Sequence, residues 1–171
     1  MSLDGSVSTS IGGPSDGRLE GGVPFPKRGP GVMLNPRRLN KDSYYGTVEM
    51  IQALVRAGAV VDAALPGGYP LVVNDIGFAE GGPIPHHGSH QAGRDMDVLF
   101  YLLDREGNPR PAKGVPLNLK GQGWDFNDLE VPEDDVFVKI DAARSWRFRP
   151  GQYKGQAVKG WVQQTIRFEL G

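Results

Sequence analysis

The residues best suited to chemistry lie in one short stretch, GGPIPHHGSHQAGRDMDVLF, which runs from Gly81 to Phe100. It contains every histidine of the chain, and two aspartates follow them: His86, His87, His90, Asp95 and Asp97. Zinc accepts imidazole nitrogen and carboxylate oxygen at about 2.0–2.2 Å, and a catalytic site usually has three protein ligands and an open position for water. The stretch therefore predicts a metal site.

His90 and Asp97 must fold towards each other if they are to hold the same ion. Fully extended, the seven steps between them would span roughly 23 Å, whereas ligands of one ion lie only a few Å apart. The segment Gln91-Ala92-Gly93-Arg94 permits the bend, because glycine adopts a positive φ without steric cost. Asp97 would then project from the start of an apolar strand, which is a rigid support for a ligand.

Spacing alone leaves two other interpretations open. In one, the three histidines are surface loop residues and Asp97 is solvated or hydrogen-bonded. In the other, Asp95 caps the loop and Asp97 pairs with Arg94 or Arg144. A lone carboxylate buried in the run MDVLFYLL would be costly, so Asp97 needs a metal or a cation as its partner. A serine-hydrolase role for Ser89 has little support, since no separate His/Asp pair is available.

Composition narrows the possible classes of protein. A length of 171 residues, with 39% hydrophobic and 23% charged residues, favours one folded domain with a single core. The net charge of -1 argues against nucleic acid as a partner. The chain has no cysteine, which excludes thiolate zinc sites and disulfides. No apolar run approaches the roughly 18 residues of a membrane span, and the N-terminus shows no signal-peptide pattern.

One helix and two strands are predicted to position the histidine stretch. Apolar residues recur at helical spacing over about 47–65, with Thr47 as N-cap and Glu49 in the first turn. Residues 70–77 are predicted to form a short buried strand. Residues 96–103 (MDVLFYLL) are predicted to form a central strand. The loop that contains the histidines joins these two strands.

The rest of the chain is rich in loops. Residues 109–135 form a long excursion in which Trp124 and Phe126 are predicted anchors. Asp141 is predicted to cap a short helix, AARSWRF, and WVQQTIRFEL alternates as a strand with one apolar face, comprising Val162, Ile166, Phe168 and Leu170. The overall expectation is an α+β fold in which a mostly antiparallel sheet carries one principal helix.

The chain is predicted to divide into three parts. Residues 1–43 are an extended arm packed on the domain, with short apolar pieces that dock on its core: Val23, Phe25, Val32 and Leu34. Residues 44–148 form the domain with the metal site, and residues 149–171 form an atypical C-terminal segment.

The histidine stretch resembles the metal-site signature of the penicillin-insensitive murein endopeptidases, which are zinc peptidases of the LAS group. That signature is GGP, a few residues, then H-x-S-H-Q-x-G-x-D-x-D. Here it is supplied by Gly81, Gly82, Pro83, His87, Ser89, His90, Gln91, Gly93, Asp95 and Asp97. The pieces SIGGPSDGRLEGGVPFPKRGPGV, YYGTVEMIQAL, GWDFNDL and IDAARSW are also similar to family segments, so the resemblance covers roughly Ser10 to Phe148.

The resemblance implies roles for individual residues. His90 and Asp97 match the first two zinc ligands, and His87 matches a histidine that lines the site and affects activity. Four further residues match the surroundings of the ligands: Ser89, Gln91, Gly93 and Asp95. Of these, Asp95 is suited to hold a ligand imidazole in the right tautomer. The implied fold has long loops around a metal cleft, as in LAS and hedgehog domains.

The resemblance also implies a function. It is zinc-dependent hydrolysis of D-alanyl–meso-diaminopimelyl cross-links in peptidoglycan, in the periplasm or another extracytoplasmic space, with His87 left to handle protons. The family's H-x-H motif, which brings the third ligand and a catalytic histidine, has no counterpart, because no histidine follows His90. A truncated or frame-shifted product, an unstable fragment, and a non-catalytic relative that binds peptidoglycan or protein would all fit this departure.

Overall fold

The computed structural model describes residues 7–125 and 135–145, together with the backbone of residues 152–153, 156–157 and 164–167. The elements in chain order are β1 (Thr9–Ile11), β2 (Arg18–Glu20), β3 (Val23–Pro24), β4 (Arg28–Gly29), β5 (Val32–Leu34), a 3-10 helix (Pro36–Arg38), β6 (Tyr45–Gly46), α1 (Val48–Ala64), β7 (Leu71–Val73), β8 (Asp95–Leu99), β9 (Leu102–Leu103), β10 (Pro109–Arg110), β11 (Gln122–Asp125), β12 (Val136–Ile140), α2 (Ala142–Ser145), β13 (Gln152–Tyr153), β14 (Gln156–Ala157) and β15 (Gln164–Arg167).

Two sheets dominate the described part of the chain. The larger has the strand order β15-β8-β7-β5-β4, and the smaller has the order β10-β9-β12-β11. Strands β5 and β7 run parallel, whereas the other pairs in these two sheets are antiparallel. With α1 as the main helix, this architecture confirms the predicted α+β fold.

The principal helix α1 matches its prediction at both ends. The Thr47 side chain accepts a hydrogen bond from the backbone N–H of Met50 at 3.3 Å, and Leu65 is the C-cap. One face of α1 packs on the larger sheet, and this core contains Met50, Ile51, Leu54, Val61, Val32, Leu34, Leu71, Val73 and Met96. Helix α1 can lie close to strand β5 because residue 58 is glycine: a Cβ there would lie 2.2 Å from Val32 Cγ1.

The prediction of one strand over 96–103 is wrong. Strand β8 belongs to the larger sheet, and β9 belongs to the smaller one. The chain changes sheets at Phe100 and Tyr101, and Tyr101 enters the core at 5% exposure. A continuous apolar run shows that residues are buried, but it does not show where the backbone turns from one sheet to another.

The strand predicted over 70–77 is also shorter than expected. Strand β7 ends at Val73, since the following backbone amides bond to two different segments. Asn74 N–H donates to the Asp97 carbonyl at 2.8 Å, and Ile76 N–H donates to the Ser43 carbonyl at 2.7 Å. Segment 74–77 is therefore irregular, and its hydrogen bonds connect it to strand β8 and to the segment around Ser43.

The excursion over 109–135 has strands of its own, β10 and β11. The predicted anchor Trp124 is 45% exposed, and its ring meets that of Phe137 edge to face with centroids 5.8 Å apart. Phe126 lies outside the described residues.

Both ends of the chain supply strands to the larger sheet. The predicted docking of Phe25, Val32 and Leu34 is confirmed, since all three lie in the core. Strand β15 covers part of the predicted strand 161–170 and pairs with β8, with Thr165 opposite Asp97. Val162, Phe168 and Leu170 lie outside the described residues. The division of the chain into three parts stays a prediction.

The short predicted helix is present as α2. Arg144 N–H donates to Asp141 Oδ1 at 3.2 Å, which confirms Asp141 as the cap, and residues 146–148 of the predicted helix lie outside the described residues. A search of the described helices found none that is both long enough and apolar enough to cross a membrane.

Candidate metal centre

Strand β8 presents two carboxylates on one face of the larger sheet. Side chains alternate along a strand, so Asp95 and Asp97 point away from the helix while Met96, between them, enters the core. Asp97 is 3% exposed and Asp95 is 1% exposed. The Asp97 backbone is fixed on both sides, because its N–H donates to the Asp75 carbonyl and its carbonyl accepts from Asn74, each at 2.8 Å. Asp97 is thus a buried carboxylate on a rigid strand.

The loop before β8 bends back as the sequence predicted. Gly93 has φ +65°, and a Cβ at this position would lie 2.7 Å from Leu19 Cδ2. His90 also has a positive φ, of +72°, which is uncommon for a residue with a side chain. Its backbone N–H donates to Asp95 Oδ2 at 3.1 Å, a buried bond that holds this conformation. The local fold therefore depends on Gly93 and on the Asp95 carboxylate.

His90 lies between the two carboxylates and is 2% exposed. Its Nδ1 lies 3.1 Å from Asp95 Oδ2 and 3.3 Å from the Asp95 carbonyl oxygen. Its Nε2 lies 3.4 Å from Asp97 Oδ1. Burial lowers the pKa of His90, but the hydrogen bond to Asp97 and the charges of Asp95 and Asp97 raise it by more, so this pKa lies above the ordinary 6.5. Asp95 is placed to fix Nδ1–H, which leaves Nε2 for a metal.

His87 approaches the same aspartate from the other side. Its Nδ1 lies 3.8 Å from Asp97 Oδ2, and its Nε2 lies 3.5 Å from Asp75 Oδ2. The two histidine rings meet edge to face, with centroids 5.1 Å apart. The His87 side chain is 18% exposed, so it is the open side of the cluster. His86 is exposed and lies outside this cluster.

The geometry of the three donors fits a metal ion. One ligand atom from each of His87, His90 and Asp97 lies within 4.8 Å of the others. Donors about 2.0–2.1 Å from a tetrahedral zinc ion are about 3.3–3.4 Å apart. The pair formed by His90 and Asp97 already has this spacing at 3.4 Å. His87 would have to move towards the other two donors to complete the set, and it is the most exposed of the three.

The structure adds a carboxylate that the sequence analysis missed. Asp75 is 1% exposed, and its Oδ1 accepts from the Ser43 hydroxyl at 2.5 Å. Its Oδ2 lies 3.2 Å from Arg38 NH2 and faces His87. The signal was available in PLVVNDIG, since a carboxylate in an apolar segment needs a partner there as much as Asp97 does in MDVLFYLL.

The remaining predicted residues have other contacts. Gln91 closes the loop through its backbone: its N–H donates to the Pro14 carbonyl at 3.0 Å, and its carbonyl accepts from Gly82 at 2.9 Å. Among the described residues, Ser89 has no hydrogen-bond partner. Arg144, one of the two alternative partners for Asp97, instead pairs with Asp141 at 2.7 Å and donates to the Leu65 carbonyl at 2.8 Å, so its pairing with Asp97 is wrong. The pairing of Asp97 with Arg94 stays a prediction.

A groove of about 300 Å³ lies on the same face of the larger sheet as Asp97, lined by side chains of β5 and β7 that point away from the helix, such as Met33 and Val72. None of the three donors lines it. One of its lining residues, Asn35, donates through its side chain to Asn74 Oδ1 at 2.8 Å, and the Asn74 N–H donates to the Asp97 carbonyl. The groove is thus distinct from the three donors, and the chemistry belongs to the histidine cluster.

Comparison with known proteins identifies the family of this chain. The family model described as penicillin-insensitive murein endopeptidase matches residues 10–114, which include all three donors. The penicillin-insensitive murein endopeptidase of Haemophilus influenzae is 38% identical over 103 residues, which are 59% of this chain and 34% of that protein. The match thus spans about a third of the relative's length. Because the family match covers more than half of the chain, the chain belongs to the penicillin-insensitive murein endopeptidase family.

Proposed function

We propose that this chain is a zinc-dependent murein endopeptidase that hydrolyses D-alanyl–meso-diaminopimelyl cross-links, with His87, His90 and Asp97 as its metal ligands. The observation that carries this proposal is the convergence of the three donors in a member of a peptidase family. The similarity to the murein endopeptidase of Haemophilus influenzae supports peptidoglycan as the substrate. Action on peptidoglycan implies a periplasmic or other extracytoplasmic location.

The chain's own residues prepare the site for hydrolysis. When bound, zinc supplies a Lewis acid that polarises the scissile amide carbonyl and strengthens water as a nucleophile. Asp95 is placed to hold Nδ1–H of His90, which would leave Nε2 to bind the ion. Asp97 contributes a buried negative charge that favours a cation. The side that His87 leaves partly exposed is where a substrate peptide would enter.

The proposal gives His87 a ligand role, whereas the family resemblance gives it proton handling. Its geometry favours the ligand role, because Nδ1 faces Asp97 while Nε2 faces Asp75. The two roles differ in their consequences. Loss of a ligand weakens zinc binding, whereas loss of a proton carrier leaves zinc binding intact and removes only activity.

The test combines metal content with product analysis. The purified chain is loaded with zinc, dialysed and assayed for bound metal, then incubated with cross-linked muropeptides whose products are separated by liquid chromatography and mass spectrometry. One zinc per chain and new monomer peaks are expected, with both lost in His90→Ala. His86→Ala is the matched control, since His86 is exposed in the same loop outside the cluster.

A second candidate is a non-catalytic relative that binds peptidoglycan. The observation that favours it is that all three histidines lie in one loop, so the family's H-x-H motif has no counterpart in these residues. Stoichiometric zinc with no new product, together with retention of the chain on purified sacculi, would replace the endopeptidase proposal with this one.

A further inference from the structure

Asp75 contacts both sides of the proposed zinc site. Its carboxylate faces Nε2 of His87 at 3.5 Å. Its backbone carbonyl accepts from the Asp97 N–H at 2.8 Å, which fixes the strand that carries a second ligand. Asp75 is 1% exposed, so bulk water cannot satisfy its carboxylate. Its Oδ2, which faces His87, accepts no hydrogen bond from the described residues, and a buried polar atom of this kind needs a partner.

Two other residues hold the Asp75 carboxylate in place. The Ser43 hydroxyl donates to Oδ1 at 2.5 Å, and Arg38 NH2 lies 3.2 Å from Oδ2. The guanidinium compensates the buried negative charge, which would otherwise be costly. The carboxylate is therefore a fixed acceptor, whereas His87 is a loop side chain that is partly exposed. Of the two, Asp75 is the more fixed and is therefore placed to orient His87.

We infer that Asp75 is a positioning residue that directs Nδ1 of His87 to the metal by accepting a hydrogen bond from Nε2–H. The inference rests on the proposed ligand role of His87. The present 3.5 Å separation needs a shift of a few tenths of an Å to reach the usual range of about 2.7–3.2 Å. The arrangement parallels His90, which is held at Nδ1 by Asp95 and faces Asp97 with Nε2. Each histidine thus has its own carboxylate and shares Asp97.

The first test is zinc affinity, measured by competition with a chromogenic chelator. Asp75→Asn is expected to lower the affinity about tenfold or more, as loss of a carboxylate behind a ligand imidazole does. Asp141→Asn is the matched control, because it makes the same change at another buried carboxylate, which pairs with Arg144 and lies outside the donor cluster. A zinc affinity within about threefold of the unmodified chain is expected for Asp141→Asn. Equal losses in the two variants would overturn the inference.

A double-mutant cycle separates positioning from general stability. If Asp75 acts through His87, Asp75→Asn should have no further effect on zinc affinity in the His87→Ala background. An undiminished effect there would overturn the inference. The cycle also separates two failures: unchanged zinc affinity in His87→Ala would remove the ligand role itself, whereas a loss in His87→Ala without one in Asp75→Asn would remove only the role of Asp75.

A measurement on the unmodified chain covers the case in which Asp75→Asn does not fold. Long-range nitrogen–proton correlation by nuclear magnetic resonance reports which ring nitrogen carries the proton, and the chain has only three histidines to assign. The zinc-loaded chain should show His87 protonated at Nε2 with Nδ1 bound to metal. Protonation at Nδ1 would overturn the inference.

Discussion

His90 and His87 face the same aspartate, yet the chain holds them by different means. His90 is 2% exposed, and its partners Asp95 and Asp97 follow within seven residues of sequence. His87 is 18% exposed, and the carboxylate behind it, Asp75, comes from a different segment. One half of the site is therefore encoded in a contiguous motif, and the other half exists only once the sheet has formed.

The two halves also differ in how firmly they are held. His90 adopts a positive φ that its backbone bond to Asp95 stabilises, so ring and backbone are fixed by one side chain. His87 depends on Asp75, which in turn depends on Arg38 and Ser43. We therefore expect the His90 side to be preorganised for metal and the His87 side to close on it.

Asp97→Ala should have the largest effect, because Asp97 belongs to both halves. Its Oδ1 faces His90 and its Oδ2 faces His87. Zinc affinity should fall by more than about 100-fold, beyond the range for residues that only orient ligands. Calorimetric titration with zinc measures this loss, and Asp62→Ala, on an exposed aspartate of α1, is the control. Retained tight binding would place the metal elsewhere.

The next prediction compares the two histidines directly. His90→Ala should lower zinc affinity about 100-fold and His87→Ala about 30-fold, because only His90 already has the spacing of a ligand pair. Both are measured by the same titration, with His86→Ala unchanged. Equal losses of zinc affinity would mean that the His87 side is as preorganised as the His90 side, which would contradict the proposed difference between them.

The same contrast explains what could be predicted from the sequence. The helix over 47–65, its Thr47 cap and the bend at Gly93 each depend on local periodicity or backbone freedom, and the structure confirms them. The ligand pair of His90 and Asp97 was proposed from an equally local motif. Asp75 was missed because its partners Arg38, Ser43 and His87 are distant in sequence, and only the sheet brings them together.

The predicted ends of two strands were wrong for a related reason. MDVLFYLL is apolar throughout, but β8 and β9 belong to different sheets because Tyr101 turns into the core between them. In the segment over 70–77, β7 stops where backbone amides bond to Asp97 and Ser43. Periodicity reports burial, whereas these ends are set by hydrogen bonds to remote segments.

Asp95→Asn tests how much the carboxylate behind His90 contributes to zinc affinity. Asparagine keeps an acceptor for the His90 backbone but loses the charge that holds Nδ1–H. Zinc affinity should fall about tenfold, at the low end of the effect of such partners. Metal-free thermal unfolding serves as the check on folding. A loss as large as that of His90→Ala would show that Asp95 shapes the whole loop rather than one ring.

The smallest predicted effect is that of pH. A rise in pH should lower the stability of the metal-free chain but raise its affinity for zinc. The pKa of folded His90 is raised above 6.5, so the metal-free fold gains stability from its proton below pH 6.5 and loses it as pH rises through the raised pKa. Zinc needs the neutral imidazole, so zinc affinity should instead rise with pH over that interval, by at most about tenfold per unit for one released proton.

Thermal unfolding with and without zinc, between pH 6 and pH 8, measures both signs at once. The stabilisation by zinc should grow as pH rises, and His90→Ala should flatten both the metal-free and the zinc-dependent trends. His86→Ala should leave them as they are, because His86 is exposed and outside the cluster. A pH trend that survives in His90→Ala would mean that the titrating group is on the other half of the site, which would reverse the assignment of His90 as its preorganised side.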